Sequence, residues 1–445
     1  MGKGSEGRSA EREMSAEASG DKRKTILIEG VLYDVTNFKH PGGSIINFLT
    51  EGEAGVDATQ AYREFHQRSG KADKYLKSLP KLDASKVESR FSAKEQARRD
   101  AMTRDYAAFR EELIAEGYFD PSIPHMIFRV VEIVALFALS FWLMSKASPS
   151  SLVLGVVMNG IAQGRCGWVM HEMGHGSFTG VIWLDDRLCE FFYGAGCGMS
   201  GHYWKNQHSK HHAAPNRLEH DVDLNTLPLV AFNERVVRKV KPGSLLALWL
   251  RVQAYLFAPV SCLLIGLGWT LYLHPRYMLR TKRHMEFVWI FARYLGWFSL
   301  MGALGYTPGR SIGMYLCSFG LGCIYIFLQF AVSHTHLPVT NPEDQLHWLE
   351  YAADHTVNIS TKSWFVTWWM SNLNFQIEHH LFPTAPQFRF MEISPRVEAL
   401  FKRHNLPYYD LPYTSAVSTT FANLYSVGHS VGDSVGADTD AKKQD

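Results

Sequence analysis

The sequence is poor in cysteine, in net charge and in targeting signals. Its six cysteines (Cys166, Cys189, Cys197, Cys262, Cys317, Cys323) show no CxxC spacing and lie in or beside apolar segments. There Cys acts as a small buried hydrophobe, which argues against a disulfide framework. With 45 Lys+Arg against 43 Asp+Glu the net charge is only +2, and no basic stripe carries interleaved aromatics. Nucleic acid is therefore not an expected partner. The first 25 residues lack an apolar run, so no secretory signal is read there, and Glu6 stands where an N-myristoylation signal wants Ser or Thr.

What is present is apolar and unevenly spread. Apolar residues make up 46% and aromatics 13% of 445 residues, yet mean hydropathy is only -0.12 because polar ends dilute long apolar runs. Five such runs, roughly 126–145, 150–170, 254–273, 287–305 and 312–332, approach the ~20 residues that span a bilayer. The short links "SKASPSS" and "GYTPGRS" pair the first two and the last two runs into hairpins. The third run has Lys- and Arg-rich flanks on both sides and Pro259 in its middle, so it is expected to be re-entrant or interfacial. Two hairpins then leave both termini and every histidine cluster on the cytosolic face.

Around this body the chain divides further. Residues 1–21 read as a flexible tail, and 22–82 as a small globular module punctuated by "HPGG". Residues 83–124 form an amphipathic connector packed on a surface, and 125–405 the α-helical integral membrane body with four transmembrane helices. Residues 406–445 read as a polar, disordered C-terminal tail. Lys442 and Lys443 near its end fit either a dilysine retrieval signal of endoplasmic reticulum membrane proteins or a chance solvated pair.

Histidine is the residue with chemistry to explain. His171 and His175 in "HEMGH" are four apart, on one helix face, while His208, His211 and His212 in "QHSKHH" follow i, i+3, i+4 spacing. Gln376, His379 and His380 in "QIEHH" repeat that spacing with Gln376 at its head. Any one of these could be a hydrogen-bonded surface imidazole, but seven in three clusters suit two metal ions, since neutral imidazole is the usual nitrogen ligand. His334 and His336 in "SHTH" are further candidates, either of which can complete the set, whereas His202, His220 and His355 lack such company and are read as structural. No thiolate lies near the clusters, so paired redox iron is expected rather than structural zinc. An amide oxygen is a poorer iron ligand than imidazole, so Gln376 is expected to tune the site by binding weakly, holding a water or orienting a neighbour.

"HEMGH", "HSKHH" and "QIEHH", in that order around two hairpins, resemble the three histidine boxes of membrane fatty acid desaturases, and Gln in the third box resembles the front-end group. "YDVTNFKHPGG" followed by "GVDATQAYREFH" is similar to cytochrome b5, whose small α+β fold holds haem b between two axial histidines. The match places these at His40 and His66, with Gly42 and Gly43 permitting a tight turn at the haem edge.

The resemblance implies a di-iron centre and a haem, with electrons arriving from NADH-cytochrome b5 reductase. It implies insertion of a cis double bond into a polyunsaturated acyl chain, carried by CoA or by a phospholipid, between an existing double bond and the carboxyl end. Overall likeness is greatest to microbial delta-5 enzymes, with delta-6, delta-8 and delta-4 sharing every motif. Rival readings are a b5-fused sphingolipid desaturase or hydroxylase, and a non-enzymatic haem protein that needs His40 and His66 but no second metal.

Overall fold

The computed structural model describes residues 23–49, 56–83, 91–146, 148–224, 226–341, 344 and 346–431; the expected tail 1–21 and the Lys442–Lys443 pair lie outside them. The N-terminal module is a four-stranded sheet in the order β3-β1-β2-β4. β1 (Thr25–Ile28) pairs antiparallel with β2 (Val31–Asp34) and parallel with β3 (Val56–Asp57), and β4 (Lys81–Leu82) closes the other edge. The alternation in "TILI" puts Ile26 and Ile28 into its core with Tyr33 and Val35. Helices α1 (Thr59–His66) and α2 (Gly70–Ser78) complete the module.

The connector is largely one helix, α3 (Ala93–Ala115), capped by the Ser92 side chain, which accepts from Glu95 N. Its buried face, Met102, Tyr106, Phe109 and Leu113, joins Phe375, Leu381 and Phe382 in one apolar cluster. The expected amphipathic connector is thus a packed element beneath the third histidine motif.

Four helices form the hairpins: α4 (Ile123–Met144), α5 (Pro149–Gly174), α9 (His284–Ala303) and α10 (Pro308–His334), with α6 (Ile182–Cys197), α7 (Gly201–Ala213) and α8 (Gln253–Thr281) between. α5 and α10 run parallel and unusually close. A Cβ on Gly160 would lie 2.9 Å from Ser318 O, and one on Gly164 would overlap the Tyr325 ring. Because the contacts advance together along both helices, their C-terminal ends arrive at one place. The opposite end is marked by the Tyr306 hydroxyl, which donates to Met144 O at 2.6 Å and ties the two hairpin turns together.

Among the described residues, three helices are long and apolar enough to cross a membrane: α4, α8 and α10. α5 and α9, expected among four spans, fall outside this group; Asn159, Gln163 and Arg165 lower the apolarity of α5, and Glu286 and Arg293 that of α9. α8 qualifies by length, contrary to its reading as a short re-entrant run, although both ends touch segments on the histidine side. Gln253 Nε2 donates to Leu424 O (2.8 Å), and His274 Nδ1 accepts from Ser200 N (2.7 Å). Two π-type turns, Phe257–Ser261 and Trp269–Leu273, interrupt it, the first containing Pro259.

After α10 come α11 (Trp348–His355), α12 (Gln376–Leu381) and α13 (Phe390–Arg403), with a two-strand parallel bridge of β5 (Asn358–Ile359) and β6 (Asp410–Leu411). The expected disordered tail requires correction. Tyr413–His429 is a helix, α14, that buries Ala416, Thr420, Leu424 and Val427, and Asn423 Nδ2 donates to Thr335 O beside His334.

Candidate metal centre

The parallel packing of α5 and α10 delivers His171 and His175 from one helix end and His334 from the other. α7 adds His208, His211 and His212 from one face, and α12 adds His379 and His380. The ligand atoms of His171, His175, His208, His212 and His379 lie within 4.8 Å of one another, and so do those of His211, His334 and His380. All seven histidines of the three motifs are therefore brought together, and they divide into two adjoining groups; the rings of His212 and His380 stack across the divide at 4.2 Å. The structure also separates the two remaining candidates: His334 joins the second group and His336 joins neither.

Buried polar atoms normally have partners, and here many do not. His171 Nε2, His175 Nε2, His212 Nδ1 and both ring nitrogens of His379 and His380 are buried without a hydrogen bond. Such orphaned nitrogens cost free energy unless a cation takes their lone pairs, so the donor set fits metal. Burial holds His175 down to about 3. Burial and then neighbouring imidazoles hold His208, His212, His379 and His380 well below the ordinary value. They are neutral, the form that ligates.

The surrounding shell orients these rings. Asp221, fully buried, accepts from His211 Nδ1 at 2.9 Å and is itself held by Asn216 N at 2.7 Å. Burial opposes charge on His211, but Asp221 and then Asp223 outweigh it and raise the imidazole to about 9. The same contact commits Nδ1–H to the carboxylate, and a metal at Nε2 would take the place of the second proton that the carboxylates otherwise favour. Gln387 Nε2 sits 2.7 Å from His171 Nδ1, and Glu172 pairs with His125 Nε2 at 3.0 Å. Glu378 accepts from Tyr408 (2.7 Å) and Asn358 (2.9 Å), and burial pushes it up to about 7.

Sequence reasoning missed Asp221, Gln387, Glu172 and Glu378. The two glutamates lie inside the motifs already singled out, which was the available signal; Gln387 had none. Of the histidines read as structural, His355 has its carbonyl accepting from His334 Nδ1 at 2.9 Å, and His220 packs edge-on against Phe48 of the N-terminal module at 4.6 Å. His202 lies beside Arg283 at 2.5 Å.

Gln376 has a defined orientation. Its Nε2 donates to Leu373 O at 2.9 Å, which turns Oε1 toward His334 Nε2 at 3.2 Å.

In the N-terminal module the His40 and His66 rings lie nearly perpendicular, edge to face, with centroids 6.0 Å apart. His66 Nδ1 donates to Tyr62 O (2.9 Å), and His40 Nδ1 accepts from Gly42 N (3.1 Å). His66 Nε2 is thereby left for a metal; a neutral His40 that accepts at Nδ1 carries its proton on Nε2, so holding a metal there takes the other tautomer. Gly42 is required, because a Cβ there would come 2.8 Å from the His40 ring, and Gly43 takes φ +78° to complete the turn. Burial lowers both imidazoles.

Comparison with known proteins agrees with this division of the chain. Residues 147–412 match the fatty acid desaturase family, and 10–82 match the cytochrome b5-like haem/steroid binding domain. An acyl-lipid (8-3)-desaturase of Thraustochytrium sp is 95% identical over 445 residues, the whole of both chains. One from Rebecca salina is 50% identical over 92% of both chains. The delta(8)-fatty-acid desaturase of Euglena gracilis is 30% identical over 86% of this chain and 91% of its own.

Proposed function

The chain belongs to the fatty acid desaturase family and carries a cytochrome b5-like haem domain ahead of it, and on that premise we propose that it is a front-end acyl-lipid desaturase placing a cis double bond at carbon 5 of 20-carbon polyunsaturated chains. The observation that carries the reading is the meeting of three histidine motifs in two adjoining ligand groups, with Gln376 at the second. One iron would be held by His171, His175, His208, His212 and His379, and the other by His211, His334, His380 and the Gln376 oxygen. His40 and His66 would hold the haem.

When bound, the iron pair supplies oxygen activation and the haem supplies single electrons; two electrons, two protons and O2 convert one –CH2–CH2– pair into cis –CH=CH– and two waters. The chain's own residues set position and dryness. A small apolar cavity of about 30 Å³ between α5, α6 and α10, lined by Gly164, Gly167, Met199, Phe319, Ile326 and Phe327, begins one helical turn from His171. An acyl chain entering there would have to move these apolar side chains aside, and apolar walls next to fixed ligands are where positioning of one methylene pair contributes to rate. Asp221 keeps the His211 tautomer, and the packing of α3 under α12 keeps water from the third motif.

Electrons reach the haem from NADH-cytochrome b5 reductase, and the enzyme lies in the endoplasmic reticulum membrane with its histidines in the cytosol. Two hairpins with every ligand at one end support that topology. The acyl-lipid carrier is supported by the names of the two relatives cited first, both acyl-lipid (8-3)-desaturases, and carbon 5 rests on the sequence resemblance to microbial delta-5 enzymes alone.

Expression in a yeast lacking polyunsaturated acids, fed single fatty acids, tests the reading. Dihomo-gamma-linolenic acid should become arachidonic acid, and the omega-3 eicosatetraenoic acid should become eicosapentaenoic acid. Conversion of linoleic to gamma-linolenic acid would move the position to delta-6 and keep the chemistry. Hydroxylated chains, or new sphingoid-base unsaturation alone, would overturn the reaction class.

A further inference from the structure

The haem module does not hang from a free tether; it touches the desaturase body at Phe48, whose carbonyl accepts from Arg217 Nη1 at 3.0 Å and whose ring packs on His220, and through a buried seam beside His66. Domains within a chain are expected to move relative to one another unless the interface between them is substantial. Here Glu64, two residues before His66, is 0% exposed. Its Oε1 accepts from Arg110 Nε at 2.6 Å and from the Tyr106 hydroxyl at 2.8 Å. The same hydroxyl lies 2.7 Å from the carbonyl of Leu381, the residue after His380. Tyr106 also stacks on Phe382 at 5.4 Å, its rings 8° from parallel.

A second link runs beside the first. Gln67, next to His66, accepts from Thr384 Oγ1 at 2.8 Å, and Arg68 donates to Phe119 O and Thr384 O. Arg110 closes the seam through its bond to Arg63 O at 3.3 Å. The module's side of these contacts is the stretch 63–68, which holds one haem ligand; its partners lie on α3, at Phe119 and at Thr384, and Tyr106 carries the link on to Leu381 and Phe382. A carboxylate buried against arginine has no reason to be there in an isolated haem protein, because burying it costs solvation that only Arg110 returns.

We propose that Glu64, Tyr106 and Arg110 form the intramolecular dock that fixes the haem module against the third histidine motif, so that electrons pass from the His66 side of the haem to the metal group beside His380. All three are positioning residues. The inference rests on the reading that the haem is the electron donor: in each transfer one haem iron goes from ferrous to ferric and one electron reaches the non-haem site, with no bond made or broken in the seam.

The test uses full-length holoenzyme with Tyr106→Phe and Arg110→Gln combined, which leave the haem module's own sequence unchanged. Removing the arginine strands the Glu64 carboxylate and should drive the module off its seat. The haem is reduced anaerobically and mixed with O2 and acyl substrate, and Soret reoxidation is followed by stopped flow. The expected result is reoxidation slowed at least tenfold, with the Soret position and haem reduction potential unchanged. Added soluble cytochrome b5 should restore product in the variant and add little to the parent, because only the variant leaves the third-motif face open. Glu64→Gln, which keeps the shape of the side chain and removes its charge, should fall between the two.

Variants that reoxidise at the parental rate would overturn the dock while leaving the haem as donor. A slowed variant that soluble cytochrome b5 cannot restore would also overturn it, since the defect would then lie in the metal site. Parental haem that stays reduced in the presence of substrate and O2 would defeat the donor reading itself, and the dock with it.

Discussion

His334 Nε2 and Gln376 Oε1 face each other at 3.2 Å as two acceptors. Neutral imidazole has one N–H, and the His355 carbonyl, which can only accept, takes it at Nδ1. Nε2 therefore brings a lone pair to an amide oxygen whose orientation is fixed by the bond from Gln376 Nε2 to Leu373 O. Two opposed lone pairs with no proton between them suit a shared cation. Gln376→Ala is expected to lose one of two non-haem irons, and Gln376→His to keep both; inductively coupled plasma analysis of the purified proteins reads this. Full iron in the alanine variant would return Gln376 to an orienting role.

Asp221 is expected to matter almost as much as a ligand, although it touches none of the expected metal positions except through His211. Asp221→Asn offers an amide that can donate to Nδ1 and so favours the wrong tautomer. A loss of about 10- to 100-fold in metal affinity follows from the usual effect of such outer partners. Competition with a chelator measures it, and an unchanged affinity would remove Asp221 from the account.

The close approach of α5 and α10 is what brings His171 and His334 to one place, and Gly164 is its tightest point. A methyl there would overlap the Tyr325 ring. Gly164→Ala should cost about 1–3 kcal/mol, the usual effect of overpacking, and lower the thermal midpoint in detergent. A midpoint equal to the parent's would show that the helices can separate without harm.

The local parts of this structure were legible in the sequence because they follow from spacing. Histidines at i, i+3 and i+4 share a face whatever the tertiary fold, and "HPGG" with a later histidine marks the haem turn. What spacing does not carry is pairing between distant segments. His334 and His336 are equivalent as sequence; the last turn of α10 beside α5 and α7 decides between them. The small polar residues of 413–429 concealed Leu424 and Val427, whose burial comes from contacts with α8, α10 and the short helix Leu245–Arg251, and so the segment read as disordered. The seam from Glu64 to Leu381 joins residues more than 300 apart, and no local pattern announces it.

The central claim is that two non-haem irons share the histidine cluster of a haem-bearing desaturase. Iron and haem counted together on the purified full-length protein test it most directly. Two non-haem irons for every haem, with X-ray absorption showing nitrogen and oxygen neighbours and no sulfur, is the predicted result. A single iron per chain, all of it haem, would contradict the account and leave an electron carrier in place of an enzyme.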